Sequence, residues 1–127
     1  MHQLKNHVVG QVIKSKYDYN PSHRTFAVAG ASINGLESVT ELQTFVGHVA
    51  ERHLFFPEEF TTVLITNDQP LPKKLKRILE DKDIEVYESS VKEITDEGVN
   101  LNDRTILTHT LAWAESNPNS FISQLGL

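Results

Sequence analysis

The sequence predicts an α/β domain with a sheet built on a strand–helix–strand unit. Three observations predict it. A β-like run at 24–33 leads into a long helical pattern at 36–53. A second apolar run, Thr62-Val63-Leu64-Ile65-Thr66, is followed by a helical pattern over 72–80. A third run, Ile84-Glu85-Val86-Tyr87, closes the unit. Strands that alternate with helices pair in parallel through crossover connections. With 127 residues the chain can bury one modest core, so a single α/β domain over 1–127 is expected.

The elements follow in order. Residues 7–16 carry Val8-Val9 and Val12-Ile13, β-branched pairs with a polar tail, which suggests a strand. Asp18 to His23 is rich in turn formers, with Asn20-Pro21 as an initiator. A strand resumes at 24–33, so 7–33 reads as a β-hairpin, and the sheet is expected to be mixed. Ala27 to Ala31 is small and apolar on both faces, which suits a central strand or a close backbone approach. After Asn34-Gly35, the residues Leu36, Val39, Leu42, Val46 and Val49 recur every three or four positions, the period of an amphipathic helix. Pro57 ends it. Pro70 and Pro72 precede the next helix, whose apolar stripe is Leu75, Ile78 and Leu79. Beyond Ser90 the pattern weakens, and 91–94 fits a strand or a helical turn. Residues 105–115 fit a helix, and Asn117-Pro118 supplies a cap and first turn for a last short one. C-terminal helices on the sheet are therefore expected.

Composition narrows the function classes. Hydrophobic residues make up 39% and charged residues 23%, ordinary globular values. The net charge is -5, from 12 basic and 17 acidic residues, which disfavours a free-standing nucleic-acid binder because phosphate neutralisation dominates that affinity. There is no cysteine, which excludes disulfides, thiol catalysis and cysteine-ligated zinc. The first seven residues hold no apolar signal core, and no apolar run approaches the ~20 residues of a bilayer span. A cytoplasmic protein with no membrane contact is expected.

The order strand, strand, helix, strand, helix, strand resembles the PD-(D/E)XK, or restriction-endonuclease-like, nuclease superfamily, above all its RecB-type branch. In that family a Glu-x-Lys strand runs into a helix with a Gln-x-x-x-Tyr signature. Here Phe26-Ala27-Val28-Ala29-Gly30-Ala31-Ser32 takes the place of that strand, and residues 36–46 take the place of the helix. The likeness covers about half the chain, the second half of the nuclease core. Its chemistry is degenerate. The Glu-x-Lys positions fall on Ala29 and Ala31, and the helix signature falls on Glu41 and Phe45. That reaction needs acidic Mg²⁺ ligands and a lysine near the attacking water. The resemblance thus implies a non-catalytic binding or assembly protein without cofactor, in nucleic-acid processing or in phage or prokaryotic defence. The alternative it implies is a Mg²⁺-dependent nuclease with Asp18, Glu37 and Glu41 as ligands, since Glu37 and Glu41 share a helix face.

Other candidates are read from the residues. Lys73, Lys74, Lys76 and Arg77 form a basic cluster that could meet phosphates, or a solvated face balanced by Glu80, Asp81 and Asp83. His48 and His53 stand five apart and share no helix face, and the other histidines are scattered. Gly30 and Gly35 meet neither the P-loop nor the dinucleotide fingerprint. Trp113, Phe121, Ile122 and Leu125 are the expected contact surface of a homodimer or of a self-associating structural protein, because aromatic residues anchor interfaces.

Overall fold

The helix expected over 36–53 is present as α2 (Ile33–Arg52), between β1 (Thr25–Ala29) and β2 (Thr61–Ile65). The computed structural model describes residues 2–30, 33–67, 69–114 and 121–123. α3 (Lys73–Asp81) and β3 (Ile84–Tyr87) complete the strand–helix–strand unit close to the bounds that the sequence implies. β2 and β3 pair in parallel, Thr62 opposite Ile84 and Ile65 opposite Tyr87. β1 pairs in parallel with β2 on one side and with β7 (Thr110–Ala114) on the other. β8 (Phe121–Ser123) adds an antiparallel edge, so the strand order is β3-β2-β1-β7-β8.

Four parallel strands replace the expected mixed sheet. The expected hairpin is absent because residues 2–14 form a helix, α1 (His2–Lys14). Leu4, Val8, Gln11, Val12 and Ser15 are all buried, a spacing of three and four that fits one helical face and no strand face. Tertiary burial here overrides the β propensity of the valine pairs.

The expected C-terminal helices are corrected too. Residues 105–114 are strands, β6 (Thr105–Leu107) and β7, and residues 121–123 are β8. β7 lies between two strands and its Thr110, Leu111 and Ala112 are buried on both faces, so no period of two marks it in the sequence. A small antiparallel sheet, β4 (Glu93–Ile94), β5 (Gly98–Asn100) and β6, carries the chain from β3 to β7.

The parallel sheet is the middle of three layers. On one face Phe26, Val28, Leu64, Ile84 and Ala112 meet Leu4, Val8 and Val12 of α1 and Val39, Leu42, Val46 and Val49 of α2. On the other, Ala27, Ala29, Val63, Ile65 and Leu111 meet Val99 and Ile106 of the small sheet and Leu101 just past β5. β1 alternates between the two clusters. Its alanines keep the second face thin enough for the small sheet to approach. Each buried valine, leucine or isoleucine of these clusters stabilises the fold by about 1.5–3 kcal/mol. No described helix is long and apolar enough to cross a membrane.

α2 ends on a strained residue. Leu54 has φ 66, and the Phe55 N–H donates to Ala50 O at 2.9 Å, the bond that closes a left-handed helix terminus. Glycine is the usual residue there, and leucine stores about 1–2 kcal/mol.

Candidate functional site

The turn from β1 into α2 is built on two glycines. Gly30 ends the strand at φ 130, a backbone conformation that side chains rarely adopt. Its N–H donates to Ile65 O at 2.8 Å, which extends the β1–β2 ladder. A Cβ on Gly30 would lie 2.6 Å from Ala114 O, at the end of β7. A Cβ on Gly35 would collide with the carbonyl of Gly30. The first turn of α2 therefore rests directly on the end of β1, and only glycine permits either contact.

The sheet topology places this turn at a switch point. From β1 the chain moves through α2 to β2 and through α3 to β3 on one side, while β7 lies on the other side of β1. In open parallel sheets ligands bind outside the carboxyl ends of the strands at such a point. The 20-residue α2 directs its N-terminus there, and its first turn holds no acidic residue. The positive end of a helix dipole favours anions. Thr66, at the end of β2, is fully buried, and its hydroxyl has no hydrogen-bond partner among the described residues. On the other side of β1, Trp113 and Ala114 end β7 beside Ala29 and Gly30.

Gly30 and Gly35 stand five apart, the spacing of the first and third glycines of G-x-G-x-x-G. That fingerprint uses the first for the tight turn and the third for close helix–strand packing, the two roles seen here. The middle position is Ser32, outside the described residues. The ribose-binding acid of such sites has no counterpart among the described residues at the end of β2. Asn67 stands there at φ 56, and its Oδ1 accepts from the Val91 N–H at 3.2 Å. The two outer glycine positions of that fingerprint are thus present, without an acid at the ribose position among the described residues. The glycine pair was legible as a spacing, but the missing middle glycine hid it.

The residues singled out in the sequence are placed as follows. Asp18 lies before β1, largely exposed, with its Oδ2 3.3 Å from His23 Nε2. Glu37 and Glu41 lie beyond β1, both exposed on α2. The five residues of β1 separate them from Asp18 by about 15 Å along the strand. Among the described residues no group of three or more histidine or acidic side chains could hold a metal. Lys73, Lys74 and Arg77 are exposed on α3, while Lys76 pairs with Glu88 at 3.2 Å. Lys76 holds the Glu88 carboxyl below its usual range. Trp113 packs against the core facing the small sheet, and it lies opposite Ile122 in the β7–β8 ladder, with Ala114 opposite Phe121. Leu125 lies outside the described residues.

A groove of about 800 Å³ runs along β3 and the start of β2. Glu58, Glu80, Asp83 and Glu85 line it, so it repels phosphates and is no rival to the switch point for an anion.

A second polar cluster escaped the sequence because its members are far apart in the chain. His7, His23 and His109 meet at the amino end of the parallel strands. His7 Nε2 is 2.8 Å from Thr110 Oγ1 and 3.0 Å from His109 O. His23 is buried, with Nδ1 2.7 Å from Gln11 Oε1 and 3.2 Å from His109 Nδ1. The two rings meet edge to face with centroids 4.8 Å apart. Burial lowers the His7 and His109 pKa values from their ordinary range, and the charge of Lys14 acts the same way on both.

No family model matches the chain, and no curated protein matches its sequence.

Proposed function

We propose that this chain is a binding domain for a nucleotide diphosphate group, in the manner of a dinucleotide-binding α/β domain, and that it does no chemistry of its own. The carrying observation is the contact of Gly35 with the Gly30 carbonyl at the topological switch point. It supports the reading because a diphosphate needs bare backbone beside a helix N-terminus. The acid-free first turn of α2 supplies favourable potential. The described residues of this edge, Gly30, Thr66, Asn67, Trp113 and Ala114, include no acid, base or nucleophile suited to catalysis. A bound dinucleotide would supply hydride chemistry, and this chain would hold and orient its phosphates.

The test is titration of the folded protein with NADH, NADPH and ADP-ribose, read by NADH emission and Trp113 quenching. Saturable binding that is lost in Ser32→Glu and strengthened in Ser32→Gly supports the reading. A folded protein that binds none of the three at millimolar concentration refutes it.

The exposed cations Lys73, Lys74 and Arg77 favour a second reading, the nuclease-like nucleic-acid contact. Single- and double-stranded DNA and RNA, with and without Mg²⁺, form the second arm. Salt-sensitive binding lost in a Lys73→Ala, Lys74→Ala, Arg77→Ala triple variant supports that reading. Metal-dependent cleavage abolished by Glu41→Ala supports its Mg²⁺-nuclease form.

A further inference from the structure

We propose that this chain self-associates as a twofold dimer through the two loops that lead into β1 and β2, with a second copy of the chain as the partner. The case begins with exposure. Among the described residues, the large apolar side chains that are more than half exposed are Tyr17, Tyr19, Leu54 and Phe56. Scattered apolar side chains are normal on a surface, whereas a gathered set marks a contact site. These four are gathered. Tyr17 and Tyr19 lie between α1 and β1, and Leu54 and Phe56 lie between α2 and β2. β1 and β2 pair in parallel from Thr25 opposite Thr61, so both loops enter the sheet side by side. The Arg24 guanidinium joins them, 4.4 Å from the Tyr19 ring centroid and 5.1 Å from that of Phe55.

Leu54 is the sharpest anomaly. Its side chain is 94% exposed, and its backbone sits at φ 66, where glycine is favoured. A leucine there strains the backbone and buries almost nothing in the monomer. A contact that covers it supplies the missing gain.

Charge identifies the occupant. In 14–24, Lys14, Lys16 and Arg24 stand against Asp18, a net charge of +2 with histidine neutral. In 51–59, Glu51, Glu58 and Glu59 stand against Arg52, a net charge of -2. Arg24 and Glu59 already pair within the chain at 3.5 Å, and the charges left keep their opposite signs. Those left are all exposed. A nucleic acid or an anionic lipid surface would be repelled by 51–59, and a basic partner by 14–24. In a twofold interface residue i of one copy meets residue j of the other, and j meets i. The basic loop of each copy then faces the acidic loop of its partner. The chain as a whole carries -5, so two copies repel except where the signs alternate. Leu54 and the aromatic rings would form the centre of the contact, and the charges its rim. This surface lies at the amino ends of the strands, away from Trp113 at the carboxyl end of β7. It leaves the switch point open and does not depend on the nucleotide reading.

Light scattering of the 127-residue protein at high micromolar concentration tests the proposal. The expected mass is about twice 14.4 kDa. Leu54→Gly should raise the dimer Kd about a hundredfold, or roughly tenfold for each of the two leucines removed. At a dilution where both proteins are monomeric, the same variant should unfold no earlier than wild type, so loss of the dimer is not loss of the fold. A protein carrying Lys14→Glu and Lys16→Glu should be monomeric, as should one carrying Glu51→Lys and Glu58→Lys, since each sets like charges face to face. Mixed in equal amounts, the two should form a dimer, because the swapped loops attract again. A wild-type mass of 14.4 kDa at high micromolar concentration overturns the proposal. So does a dimer that survives Leu54→Gly and comes apart in Trp113→Ala, or a mixture of the two charge variants that stays monomeric.

Discussion

Gly35→Ala and Gly47→Ala change the same residue type in the same helix, and they should move stability in opposite directions. In a helix interior alanine is better than glycine by about 0.8–1.0 kcal/mol. At Gly47 an added Cβ would meet Pro57 Cβ at 3.9 Å, ordinary van der Waals contact, so the full gain should appear. At Gly35 the added Cβ would strike the Gly30 carbonyl, on a residue whose N–H is held by Ile65 O in the β1–β2 ladder. Forcing atoms into packed space costs about 1–3 kcal/mol, and backbone cannot swing aside as a side chain can. The clash therefore outweighs the propensity gain, and Gly35→Ala should lose about 1–2 kcal/mol net. At about 4 °C per kcal/mol for a chain of this size, its melting midpoint should fall by about 4–8 °C. That of Gly47→Ala should rise by about 3–4 °C. Urea unfolding followed by circular dichroism gives the same comparison as free energies. A Gly35→Ala protein as stable as wild type would refute the tight docking of α2 on Gly30, and with it the geometric basis of the proposed site.

Further outcomes are expected elsewhere. Leu54→Gly should stabilise the protein by about 1 kcal/mol, because the leucine is 94% exposed and its φ of 66 is strained; a loss of stability in urea would contradict that account. Leu42→Ala, at the α2–sheet contact, should cost about 2–5 kcal/mol in the same assay. The Glu85 hydrogen bond raises the Tyr87 pKa from its ordinary value, so the folded state keeps the phenol proton longer and stability falls as pH rises through that range. NMR of the Tyr87 ring should show its titration midpoint drop in Glu85→Gln. Self-association through Trp113, Phe121, Ile122 and Leu125 is a proposal that light scattering decides: a mass near 14.4 kDa at micromolar concentration rejects a dimer. Since Trp113 packs against the core facing the small sheet, Trp113→Ala should lower the melting midpoint in a monomer or a dimer alike.

The α/β class was legible because two of its signals are local. The stripe from Leu36 to Val49 has helical period, and 84–87 is a short β-rich run after a charged turn, so α2, α3 and β3 emerge within a few residues of their true ends. The failures share a cause. Val8-Val9 and Val12-Ile13 carry strand propensity, but their burial is decided by α2 and the sheet, which the local sequence does not display. β7 pairs on both sides and buries both faces, so its pattern carries no period. The site was less visible still. Gly30 and Gly35 matter because of where Ala114 and the sheet order put them, and Ala114 is 84 residues from Gly30. His7 meets the His109 carbonyl across a separation of 102 residues, which no local spacing could reveal. Asp18 was noticed as a metal ligand, but the structure sets it against His23 and beyond the opposite end of β1 from Glu37.

The central claim is that a diphosphate binds where α2 leaves β1. Amide NMR of the folded protein during titration with ADP-ribose tests it most directly. The account predicts that the largest shifts fall on Gly30, Gly35, Leu36 and Ala114, saturate together, and vanish in Ser32→Glu. Shifts confined to residues 73–77 of α3, or none at millimolar ligand, would contradict it.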